Sequence, residues 1–171
     1  MSWTRAYWIV FVAALCVYGA MLLVTLPAIT DAADGLVPFD MRPAGYTPDE
    51  ARAFLANLSD QGRAVYLGLQ HRLDLVYPGL LALVLAGAVW GLTTRGIIRV
   101  PLVLLTCLGM IADYTENVFV ARMLRWDGVI PDQLAAQACL WTQLKSAATT
   151  IVMIAVCLLL VAWGLRKWRE K

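Results

Sequence analysis

Long stretches without a single charged residue dominate the chain. They cover residues 6–30, 75–94, 100–112 and 146–165. A helix needs roughly 20 apolar residues to cross a bilayer core of about 30 Å. Three of the runs reach that length alone. The other stops at Asp113, and apolar residues resume at Val118, Phe119, Val120 and Ala121. The pattern predicts an all-α four-helix transmembrane bundle, with spans over about residues 6–30, 73–94, 97–121 and 137–165 in one integral membrane domain, 1–171. The first run exceeds the roughly 7–15 residue core of a signal peptide, so it reads as an anchor and a bundle member.

The segments between the spans carry their own signals. Residues 31–72 form a long connection, expected to be a helical lid on the outer side. In it Thr47, Pro48, Asp49 and Glu50 make a capping box with proline at the first helical position, predicting a helix to about Leu58. Ser59 and Asp60 then start a second helix that should run directly into the second span. The turn from Thr94 to Arg99 is tight, and Pro101 is expected in the first turn of the third span. The second and third spans are therefore antiparallel neighbours. Trp126, Asp127, Gly128 and Pro131 supply the last turn. Gly87 and Gly91 allow close helix approach, within the bundle or between copies of the chain.

Composition narrows the class. With 61% hydrophobic and 15% charged residues, the chain departs from the about 45–50% and 25% of soluble domains. An ordinary soluble domain, a disordered chain and a collagen are excluded. Four spans place both termini on one side, with Arg5, Arg95, Arg99, Arg166, Lys167, Arg169 and Lys171. The other side has Arg42, Arg52, Arg63, Arg72, Arg122 and Arg125. Seven against six, sharpened by the basic tail and the Arg95–Arg99 turn close to span ends, assigns the termini to the cytoplasm. The net charge of +2 reflects this flanking pattern, and no nucleic-acid partner is expected. Cys16, Cys107, Cys139 and Cys157 form no CxxC pair and read as small buried hydrophobes. The tryptophans fall mostly at span ends, as an interfacial belt does.

Against this apolar background a few polar residues stand out. Asp74, Asp113, Glu116 and Lys145 lie in or beside spans, where ionisable groups are costly and usually face protein or water. At about 1.5 Å per residue, all four fall in the outer third of the bundle. On the third helix Asp113, Glu116 and Asn117 share a face with Gly109 and Thr106. On the second, Arg63, Tyr66, Gln70, Asp74 and Tyr77 form a stripe with His71 beside it, provided the helix is continuous. On the fourth, Trp141 and Thr142 flank Lys145. Arg122 points away from Asp113 and snorkels to the headgroups.

These positions predict an outward-opening pocket with three carboxylates and one ammonium, which cannot all stay ionised at low dielectric. A carboxylic acid beside a carboxylate serves general acid–base catalysis. Asp113, Glu116, Lys145 and Asp74 are the candidate catalytic groups. Asn117, Tyr77, Gln70, Tyr114, Trp141, His71 and Tyr66 are the candidate binding groups. The expected partners are membrane lipids and a lipophilic small molecule, acted on by an isomerase, cyclase or hydrolase. A proton-linked transporter, which would need to oligomerise, uses the same pattern. So does an accessory protein whose polar residues only tie helices together. As the only histidine, His71 cannot form a two-histidine haem site, and no cofactor or metal is expected.

Residues 45–51 (GYTPDEA), Gly62-Arg63-Ala64-Val65-Tyr66, residues 73–78 (LDLVYP), residues 112–117 (ADYTEN) and a lysine in the last span occur in that order. In these motifs the chain resembles an uncharacterised group of small bacterial inner-membrane proteins with four helices. That likeness implies the architecture and the bacterial inner membrane, and brings no activity. A looser likeness is to emopamil-binding-type sterol isomerases, which protonate a lipid double bond in a membrane-embedded cavity. It would cast Glu116, Asp113, His71 and Trp141 in such roles.

Overall fold

The computed structural model describes residues 2–170 and contains five helices. Four are long and apolar enough to cross a membrane: α1 (Trp3–Asp31), α3 (Asp60–Leu92), α4 (Gly96–Leu124) and α5 (Asp132–Arg169). The short α2 (Pro48–Asn57) lies in the connection between α1 and α3. Helix α3 is central, packing against α1, α4 and α5, while α4 and α5 pack along each other. Large side chains such as Leu23, Leu104 and Leu158 point outward, as a surface meeting lipid acyl chains requires.

The helices run longer than the apolar runs alone suggest. Helix α5 has 38 residues, roughly 57 Å. Its extra length lies beyond the apolar segment at both ends. Helix α4 begins at Gly96, so Pro101 sits inside the helix and not in its first turn. Only Thr93, Thr94 and Arg95 separate α3 from α4. There Arg99 Nε donates to Thr93 Oγ1 at 3.2 Å and its guanidinium lies 4.3 Å from the centre of the Trp90 ring.

The lid forms as its caps dictate. Thr47 Oγ1 accepts from the Glu50 N–H at 3.2 Å, and Glu50 accepts from the Thr47 N–H at 2.6 Å, completing the capping box. The Thr47 N–H and the Thr47 hydroxyl, at 2.6 and 3.0 Å from Glu50 Oε2, hold the Glu50 carboxyl below its usual range. Ser59 Oγ accepts from Gly62 N–H, and α3 continues without a break from the lid into its long apolar segment. The lid's underside is an apolar cluster: Phe39 and Phe54, fully buried, pack with Tyr46, Ile29, Met123 and Ala138 at one end of the bundle. A second cluster, Leu85, Val89 and Val152, fills the other half.

Two features run against sequence expectation. Both α1 and α3 contain a π-helical turn, at Met21–Thr25 and Tyr66–Gln70. A continuous α-helical stripe through Arg63 and Tyr77 therefore does not exist, because a π turn carries an extra residue and rotates the helix beyond it. The cysteines are also not buried hydrophobes: Cys16, Cys107 and Cys157 face outward and Cys139 is half-buried. In a bilayer the outward face is itself apolar, so a thiol there meets no penalty that would drive it inside. Gly87 meets the Tyr7 ring of α1, where a Cβ would approach Tyr7 Cδ2 to 2.9 Å, while Gly91 is open. Arg122 is exposed, with its guanidinium 5.8 Å from the centre of the Phe119 ring.

Candidate functional site

Between the two apolar clusters lies a belt of buried polar side chains. Each helix contributes at the level where its stripe passes the interior: Thr25 from α1, Gln70 and Asp74 from α3, Glu116 and Asn117 from α4, and Thr142 from α5. Lys145, one turn from Thr142, crosses from α5 to α4. Its ammonium lies 3.2 Å from Asp113 Oδ1 and in contact with Glu116 Oε2. The Glu116 side chain is fully buried, and those of Asp113 and Lys145 are only 14% and 17% exposed. Thr142 Oγ1 donates to the other Glu116 oxygen at 2.6 Å. Two carboxylates thus share one ammonium, with a hydroxyl on the deeper one. The (i, i+3) spacing of Asp113 and Glu116 is what lets one side chain reach both.

Asp74 is not part of that knot. The expectation of three carboxylates around Lys145 is corrected: the Asp74 carboxylate accepts from Gln70 Nε2 at 3.0 and 3.1 Å. Gln70 in turn accepts from Thr25 Oγ1, and Asn117 Nδ2 donates to the Asp74 backbone carbonyl at 3.1 Å. The chain Thr25–Gln70–Asp74 with Asn117 ties α1, α3 and α4. It begins where the π turns of α1 and α3 end, so those wide turns set the two partners facing each other.

Two clefts flank the belt, each with room for about one water. One, at the lid end, is lined by Asp40, Tyr66, His71, Asp74 and Asn117. Tyr66 OH donates to Asp40 Oδ2 at 2.5 Å across it. The other lies between α3, α4 and α5, reaching from Asp113 to Thr106 and Thr149. The open outward pocket expected from the sequence is therefore replaced by a belt packed under the lid. The lid's aromatic cluster fills the mouth, a burial of apolar area that polar lid residues would not provide.

Of the candidate residues, the structure brings together Asp113, Glu116 and Lys145, and separately Gln70, Asp74 and Asn117, with Tyr66 and His71 at the adjoining cleft. Three others go elsewhere. Tyr77 stacks on Tyr18 of α1 with ring centres 5.6 Å apart, Tyr114 OH donates to the Leu75 carbonyl at 3.1 Å, and Trp141 is half-buried outside both clefts. Sequence reasoning missed Thr25, Asp40 and Tyr46. Neutral hydroxyls in or near apolar runs, and one acid among many in a polar loop, give no compositional signal. Among the described residues no group of three or more His, Cys, Asp or Glu side chains converges as metal ligands.

The fold is all-α, with four helices long and apolar enough to cross a membrane and charged groups enclosed between them. No family model, curated protein or solved structure matches the chain.

Proposed function

We propose that this is a bacterial inner-membrane protein that admits a lipophilic small molecule beneath its lid and presents it to the Asp113–Lys145–Glu116 set. Both termini lie in the cytoplasm and the lid covers the outer face. The basic end of α5 and the Arg95–Arg99 turn, both opposite the lid, support that orientation.

The observation that carries the reading is the sharing of one enclosed ammonium by two carboxylates. The ammonium balances one negative charge; at low dielectric the second is balanced by a proton or by a bound group. A structural tie would need only one carboxylate. A surplus acid beside a base, under a cover, suits proton transfer to and from a bound molecule in an isomerase-, cyclase- or hydrolase-type reaction. A proton-linked carrier is less well supported, because Leu85, Val89 and Val152 close the far half of the bundle.

Glu116→Gln and Asp113→Asn test this. In each variant Lys145 keeps one carboxylate, so thermal unfolding in neutral detergent should shift by no more than about 1 kcal/mol. The lipophilic molecules that co-purify, seen by mass spectrometry, should be lost. If both variants instead lose about 3–5 kcal/mol, the set is a structural tie and the proposal fails.

A further inference from the structure

One enclosed carboxyl lies outside the Lys145 knot. Asp74 is 7% exposed, and both of its oxygens accept from a single donor, Gln70 Nε2. Among the groups around it, α1 supplies the neutral Thr25 and α4 supplies Asp113 and Glu116. The ammonium of Lys145 on α5 is held by those two acids. Enclosed without a counter-ion, a carboxyl is neutralised by a proton, and that proton needs a way in and out.

The lid-end cleft provides one. Pro78 has no N–H, so the Asp74 carbonyl four residues earlier is released from the helix ladder, and Asn117 Nδ2 takes it at 3.1 Å. That bond fixes the amide. Asn117 is 4% exposed and lines the cleft, and among the described residues no group donates to its Oδ1. Asp74, Tyr66 and His71 line the same space, which has room for about one water. A water there has the two to four polar partners that enclosed waters need. The buried Tyr66 O–H donates across the cleft to Asp40 Oδ2 at 2.5 Å. Asp40 belongs to the short lid turn Phe39–Met41, anchored by the fully buried Phe39, and is itself only half-buried.

We infer that the lid-end cleft binds one water, and that Tyr66 and Asp40 link this water to the aqueous phase on the lid side as the path by which Asp74 exchanges its proton. The Tyr66 bond is set for release. The Asp74 O–H gives its proton to the water, the water passes one to the Tyr66 oxygen, and the Tyr66 proton moves to Asp40 Oδ2. Each O–H bond broken is matched by one formed, and uptake runs the same bonds backward. His71 shares the cleft but has no hydrogen-bond partner among the described residues, so the path leaves through Asp40. This path is independent of the lipophilic-molecule reading, and neither stands on the other.

The test is the infrared C=O band of the Asp74 carboxylic acid at neutral pH, whose downshift on mixing with D2O times the exchange. Wild type should show a band that Asp74→Asn removes and Asp74→Glu moves. Asp40→Asn keeps an oxygen for Tyr66 to bond, and Ala121→Val adds methyl groups to the cleft wall. Each should keep the band and slow its downshift about tenfold, the kinetic worth of one hydrogen-bonded step. Should one of these two not fold, the other decides. His71→Gln should exchange at the wild-type rate. The absence of a band that responds to either Asp74 substitution overturns the inference, as does a wild-type rate in Asp40→Asn. Slowing in His71→Gln alone moves the path away from Asp40 and also overturns it. Slowing in Asp40→Asn but not in a folded Ala121→Val overturns the bound water.

Discussion

Gly45 shows how much a single residue controls here. Its left-handed backbone and its contact with α5 leave no space for a side chain. Gly45→Ala should destabilise the protein by about 1–3 kcal/mol, read as a lower melting temperature by circular dichroism. A variant with wild-type stability would show that the lid is not seated on α5 at this point. Residues of this kind divide sharply in how far the sequence exposes them. Asp113, Glu116 and Lys145 are legible because a charge inside an apolar run is anomalous on its face. That Asp74 would pair with Gln70 rather than Lys145 is not legible, because side chains on different helices choose partners by rotation and depth. Tyr46 lies in a polar loop where a tyrosine is ordinary, and only the folded lid turns it inward.

At the scale of elements, the lid helix was readable from its cap alone, since the capping box satisfies N–H groups that any helix start leaves open. Thr47→Ala should cost about 1 kcal/mol, measured by thermal unfolding. The box also carries a pH dependence. The Glu50 carboxyl is held below its ordinary value of 4.5, so its stabilisation is complete above that value and is lost as pH falls through the lower folded one. Glu50→Gln should flatten that part of the acid stability profile, and a slope unchanged in the variant would assign it to other groups. The π turns at Met21–Thr25 and Tyr66–Gln70 were not readable. They reflect how α1 and α3 meet, with Thr25 drawn onto Gln70, a tertiary preference that overrides local periodicity. The same applies to Pro101: the tight Thr93–Arg95 turn starts α4 early, and the helix absorbs the proline near its start.

For the whole molecule, the order of layers matters most. An aromatic lid cluster, a polar belt and an aliphatic cluster are stacked along the bundle, and the belt is enclosed by the other two. Hydropathy revealed the spans and the rough depth of the belt, but the lid's closure over it came only from packing. Enclosure gives the charges their weight, because water no longer screens them and each depends on its partners. The central claim, that Lys145 is the sole counter-charge to Asp113 and Glu116 in this interior, is tested most directly by Lys145→Met. Alone it should lose about 3–5 kcal/mol of unfolding free energy, because it leaves an enclosed carboxylate without its counter-charge. Adding Asp113→Asn and Glu116→Gln to it should restore most of that loss, since no unpaired charge remains. A Lys145→Met protein as stable as wild type, or one that the two amides fail to rescue, would contradict the account.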